Sequence, residues 1–251
     1  MIFLVAVLFA NTAFSSTQFN YDSGAYGPDQ KPNDTRISHG WLTHSGINLF
    51  ATASQAINNP AAQFIISNYP ILQKGSDLPD YDERNPILGI PTNRGHFYNP
   101  ITGKNIFGET SPTAMTNFIK HTGKAKKFKS EKNYNEMALE LGRAIHYLSD
   151  ECVPHHAANE TSLTSNHIDY EHFVNNLILN VGETLHASTL LKDDPNVSYE
   201  DILNACAFKA LDLIDIAMTN NSEDMTGVAK TMIPFNEQLI AEYFQKFVSD
   251  E

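Results

Sequence analysis

The chain has 251 residues, 41% of them hydrophobic, so it can bury a sizeable core as one large domain or two small ones. Lys+Arg 17 against Asp+Glu 29 gives a formal charge of −12, which excludes a generic basic nucleic-acid binder. Cys152 and Cys206 are too few for a disulfide scaffold or a thiolate zinc module, whereas ten histidines beside a single Trp ask for an explanation.

Met1 to Ser15 carries no Lys, Arg, Asp or Glu, and its apolar run is shorter than the roughly 20 residues a bilayer span needs. With the small-x-small sequence Ala13-Phe14-Ser15 it reads as a signal peptide over 1–15, and the four sequons at Asn33, Asn159, Asn196 and Asn220 fit a secreted glycoprotein. Residues 16–40 are rich in Gly, Pro, Asp and Asn and read as an extended or propeptide-like segment. The folded body is expected over 41–251. Ile47, Phe50, Ser54 and Ile57 recur at helical spacing until Pro60, and a second short helix is expected to about Tyr69.

Residues 74–104 hold four Pro and four Gly and predict one long loop, a kind that is usually functional. Helical patterns follow near 111–122, 131–152, 166–188, 198–218 and 234–248, the last behind an N-terminal Pro234. No segment alternates with period two, so the fold class is mainly α: a single-domain multi-helix bundle with a long metal-binding loop. No later segment is long and apolar enough for a transmembrane anchor. Cys206 lies on an apolar stripe, and with Cys152 it forms either a disulfide or a pair of buried thiols.

Met137, Leu141, Ala144, Ile145 and Leu148 make MALELGRAIHYLSDE (137–151) a packed helix, on which His146 and Asp150 share one face a turn apart. Gly142, one turn earlier, leaves room for close approach on that face. Then come PHHAAN, with His155 and His156, and NHIDYEHF, in which His167 and Glu171 repeat the His-x-x-x-acid spacing. One such pair is commonplace on a surface; two flanking a further histidine are not, because zinc takes imidazole nitrogen and carboxylate oxygen directly. The long loop adds Asp80 and His96, and His44 opens the first helix. So many N/O donors exceed the needs of one tetrahedral zinc and favour a multi-metal cluster with open positions.

WLTHSG, GSDLPDYD, HFYNP, LGRAIHYLSD, PHHAAN and HIDYE, spanning 41 to 171, together resemble the zinc-dependent phospholipases C of the bacterial toxin type, which share a scaffold with single-strand-specific zinc nucleases. The resemblance implies two to three Zn²⁺ per chain. It implies Asp80, His96, His146 and Asp150 as ligands of one zinc and His156, His167 and Glu171 as ligands of a second. Asp150 would bridge to a third that also uses His44, completed in the family by an N-terminal Trp. Trp41 stands only three residues before His44, so it could serve there after cleavage at Gly40, or through its carbonyl, or His39 could replace it. Asp80 is implied as the residue that orients or deprotonates the attacking water, and Tyr81 as part of a choline cage.

The activity so implied is hydrolysis of the glycerol-side phosphodiester of phospholipids, at a membrane surface or in micelles, with no nucleic acid as partner. A zinc nuclease or broader phosphodiesterase on the same scaffold, or a degenerate zinc-binding surface module, would use the same residues. The toxins' C-terminal lipid-binding domain is not expected after the helix closing near Val248, which leaves the rim of the site for membrane contact. His121, His155, His172 and His186 receive no role and are expected at the surface.

Overall fold

A computed structural model describes residues 60–82, 94–181 and 197–250, without the side chains of 81–82 and 178–181. The described residues are mainly helical and hold no strand, only one isolated antiparallel bridge, Asn99 to Lys104, within the turns between the helices. The helices are α1 (Pro60–Ser67), α2 (Tyr69–Asp77), α3 (Pro79–Asp82), α4 (Ala114–Ser130), α5 (Tyr134–Asp150), α6 (Pro154–Ala158), α7 (His167–Val181), α8 (Tyr199–Leu211), α9 (Ile214–Ala217) and α10 (Ser222–Ser249). A single 3₁₀ turn, Arg94–His96, precedes α4. The signal peptide, the segment 16–40, the first predicted helix, Trp41, His44 and His39 lie outside the described residues.

Helix starts follow side-chain capping. Thr113 accepts from the Thr116 amide to open α4, Ser198 from the Asp201 amide to open α8, and Asn221 from the Glu223 and Asp224 amides to open α10. α5 is the central element, buried along most of its length with Met137, Leu141, Ile145 and Leu148 inaccessible to solvent. α2 and α4 flank it, and α10 closes the core with Tyr243, Phe244 and Phe247, of which Tyr243 meets Phe118 and Thr122 of α4. Burying such side chains contributes about 1.5–3 kcal/mol each. Cys152 and Cys206 form a disulfide that ties α8 to the chain just beyond α5, which resolves the open alternative.

Three sequence expectations are corrected. Helix continues through Asp77 and resumes over Pro79–Asp82, where a loop was expected from residue 74. Gly75 is the reason: it serves contact and not a turn. A Cβ there would lie 2.4 Å from the Leu139 carbonyl oxygen, and one at Gly142 would lie 2.2 Å from that of Leu72. The two glycines let α2 and α5 touch backbone to backbone. Second, α10 begins at Ser222 and carries Pro234 inside it. Proline there forfeits one intrahelical hydrogen bond, but buried residues on both sides, Met225 to Ile233 and Asn236 to Val248, hold the two halves in one helix. Third, the predicted helix over 198–218 breaks into α8 and α9 around Asp212–Leu213.

Gly142→Ala is therefore expected to destabilise the fold by about 3 kcal/mol or more, beyond the usual range for overpacking because the clash is with backbone. Urea unfolding with the slope held common to both proteins measures it.

Candidate metal centre

The contact between α2 and α5 places the first candidate ligands. It brings the Ser76 carbonyl 2.7 Å from His146 Nδ1, so that nitrogen donates and Nε2 is the one that would bind a metal once its proton is displaced. Just beyond α2, Asp80 on α3 puts Oδ1 4.0 Å from His146 Nε2. The 3₁₀ turn delivers His96, whose Nδ1 is 2.9 Å from the same nitrogen. Ligand atoms of Asp80, His96 and His146 all fall within 4.8 Å of one another.

His156, His167 and Glu171 form a second group of the same kind, also within 4.8 Å. His156 Nδ1 donates to the His96 carbonyl at 2.7 Å, which again leaves Nε2 free to accept, 3.4 Å from Glu171 Oε1. His167 Nε2 is 3.1 Å from that oxygen, because the two residues are one turn apart at the start of α7. Phe97 stacks on the His156 ring at 4.5 Å and meets His167 edge-on at 5.9 Å, fixing both planes.

Asp150 lies beside both groups. Its Oδ2 lies 2.8 Å from His96 Nδ1 and 3.2 Å from His146 Nε2, and its Oδ1 lies 3.9 Å from His156 Nδ1. A tetrahedral zinc with Zn–N of about 2.0–2.1 Å separates its ligand atoms by about 3.3 Å. The spacings of 2.8 to 4.0 Å among these donors bracket that edge. The donors are all nitrogen and oxygen, with two histidines already tautomerised by carbonyls, so the residues present fit zinc.

Electrostatics follow from burial and proximity. Burial alone pulls the His146 imidazole down, but Asp150 and Asp80, with the bonds to Asp150 and Ser76, outweigh it and raise it to about 9. Against burial, Asp150 and Glu171 likewise raise His156. Burial pushes the Asp150 carboxyl up, yet His146, His96 and His156 hold it well below the carboxylate range; His156 and His167 do the same for Glu171. In the metal-free chain the His146 imidazole, raised to about 9, therefore carries a proton at neutral pH that a metal must displace. Zinc affinity is expected to rise with pH towards about 9, by about tenfold per pH unit for each proton displaced. Calorimetry in buffers of different ionisation enthalpy counts the protons released at pH 7.

Several participants were not legible in the sequence. Asp77 ends α2, where burial raises its carboxyl to about 6, with His146 opposing and Asp80 adding to the effect. Tyr147 lies between rings, 5.3 Å from His146, 5.5 Å from His96 and 5.8 Å from His121. His121 and His155 are buried, which overturns the expectation of surface positions; His172 is exposed, and His186 lies outside the described residues. His121 pairs with Glu140 at 2.6 Å between α4 and α5. His155 stacks on His167 at 5.2 Å and donates through Nε2 to Asn166 Oδ1 at 2.8 Å, with burial holding it down at about 4. A second histidine after Pro154 was the available signal. The side chain of Tyr81 is not among those described.

A mainly helical scaffold presenting two neighbouring His/carboxylate groups, each able to hold a metal ion, is that of a candidate metalloprotein. The sequence profile of the zinc-dependent phospholipase C family matches residues 43–220, and the chain belongs to that family. It is 28% identical to a phospholipase C of Paraclostridium bifermentans over 166 residues, covering 60% of this chain and 40% of the relative. It is 24% identical to one of Clostridium perfringens over 250 residues, covering 90% and 61%. Among solved structures, the alpha toxin of Clostridium absonum superimposes with a TM-score of 0.71 at 24% identity, covering 88% of this chain and 65% of that one, which establishes the shared fold. The chain spans about half the length of the curated relatives it matches. No helix among the described residues is long and apolar enough to cross a membrane.

Proposed function

We propose that this chain is an exported zinc phosphodiesterase that cleaves the glycerol-side phosphodiester of phospholipids, releasing diacylglycerol and a phosphorylated headgroup. The observation that supports the reading is the pair of candidate ligand groups, with Asp150 beside both. In this reading Asp80, His96, His146 and Asp150 hold one zinc and His156, His167 and Glu171 a second. Asp150 with His44, and Trp41 or a substitute, would hold a third. Bound zinc supplies Lewis acidity, which offsets the charge of the phosphoryl oxygens and makes water a usable nucleophile near neutral pH.

The protein's own contribution is positional and electrostatic. Ser76 and the His96 carbonyl fix the tautomers of His146 and His156, Phe97 fixes two ring planes, and Asp150 sets the distance between the groups. Asp80 is the carboxylate best placed to take a proton from water, since its side chain is 19% exposed against 5% for Asp150 and 12% for Glu171. Tyr81, next to it, is the residue proposed to face a choline headgroup. A signal peptide over 1–15 would account for export.

Metal content per chain by mass spectrometry, with phosphatidylcholine and single-stranded DNA assayed on the same sample, tests the reading. Two to three zincs and lipid hydrolysis are expected. DNA cleavage in preference to lipid would move the assignment to a nuclease, and full zinc with no phosphodiester hydrolysis would make the centre structural.

A further inference from the structure

Among the described residues eight large apolar side chains are exposed, and six of them, Ile101, Phe107, Leu163, Ile168, Ile216 and Met218, fall on three short segments, 99–108, 159–168 and 214–219. The most exposed are loop tips: Leu163 at 95%, Ile101 at 75% and Phe107 at 62%. The segments adjoin one another. Asn159 Nδ2 donates to the Lys104 carbonyl at 3.0 Å, and Asn166 Nδ2 donates to the Ala217 carbonyl at 3.0 Å. They also adjoin the metal centre, since His96 and His156 each stand three residues before a segment and His167 lies within one.

The display is braced. Asn99 Oδ1 accepts from the Ile101 and Thr102 amides at 3.0 and 3.1 Å, and Asn105 Oδ1 from the Phe107 and Glu109 amides at 2.9 and 3.1 Å. Gly103 and Gly108 supply the positive φ that these turns need. Thr161 and Thr164 hold the turn under Leu163 through side-chain and backbone bonds. Single exposed apolar side chains are ordinary, but here six of the eight gather on three segments that hydrogen-bond to one another beside the metal centre.

We propose that these three segments form an apolar rim that seats the metal centre on a zwitterionic phospholipid surface; this rests on the reading of the centre as a phospholipase. Charge selects the kind of surface. The segments hold Lys104 as their one Lys or Arg, against Glu160 and Asp215, in a chain of net charge −12, so anionic lipid is repelled and not recruited. Separate tips insert between headgroups, whereas a protein partner needs a continuous patch of about 800 Å².

The test compares wild-type holoenzyme with the triple variant Ile101→Ser, Phe107→Ser, Leu163→Ser. Flotation with phosphatidylcholine vesicles is expected to weaken by about 100-fold, the sum of three modest apolar insertions. Hydrolysis of long-chain vesicles should fall in parallel, while that of monomeric short-chain phosphatidylcholine stays within about two-fold. Equal losses on both substrates, or unchanged flotation, overturn the proposal, as does stronger flotation with phosphatidylserine vesicles. A self-association removed by the triple variant in sedimentation velocity, with no vesicle binding by the wild type, would assign the rim to a second copy and overturn it too. If the wild type hydrolyses neither lipid, the phospholipase reading fails, and flotation still decides the rim.

Discussion

Asp150→Asn is expected to lower zinc content below one ion per chain and phosphodiester hydrolysis by at least about 10³-fold, equivalent to about 4 kcal/mol of barrier. The carboxylate is 5% exposed and faces His96, His146 and His156 at once, so it is the shared negative charge that lets three nitrogens crowd together. The amide is nearly isosteric but neutral. It leaves the histidines facing each other without an anion, and removing one member of a buried ionic cluster commonly costs about 3–5 kcal/mol. Metal content by mass spectrometry and far-UV circular dichroism separate the outcomes. Retention of two zincs with full activity would refute the shared role, whereas loss of helical signal would place the effect in folding, which a Ser149→Ala neighbour control is expected not to show.

The placement of the candidate ligands on helices was legible because a helix converts sequence spacing into geometry. His146 with Asp150, and His167 with Glu171, had to lie one turn apart once the apolar period fixed the helix, and they do. Gly142 was legible for the same reason, since it sits on the ligand-bearing face where α2 makes its closest approach. What the spacing does not encode is carbonyl placement: nothing in the sequence announces that Ser76 or His96 will orient His146 or His156 through the backbone. Glycine and proline misled where their local tendencies were overruled by packing, at Gly75 inside α2 and at Pro234 inside α10. Buried His121 and His155 were missed because their partners, Glu140 and Asn166, are brought to them by the fold and not at helical spacing. Glu151 is a further case: it follows Asp150 directly, but burial and the Asp150 charge push its carboxyl well above the usual range, so two adjacent acids do opposite things.

Asp80→Asn is the sharper test of chemistry, because it separates holding a metal from handling a proton. The asparagine oxygen still reaches towards His146, so most zinc should remain bound, while the basic carboxylate is lost and turnover should fall by about 10³-fold or more. Asp77 is the control that gives the result meaning. It lies close enough for the Asp80 charge to affect its own proton affinity, and it is raised to about 6, in the range where a general base works well. Its side chain is not in either ligand group, and Asp77→Asn is expected to change turnover by no more than about three-fold if Asp80 is the base. Removing the Asp80 charge should also let the Asp77 carboxyl drop, since Asp80 contributes to raising it. An Asp80→Asn protein with full zinc and undiminished turnover, or a loss found in Asp77→Asn instead, would transfer the proton-accepting role to the end of α2.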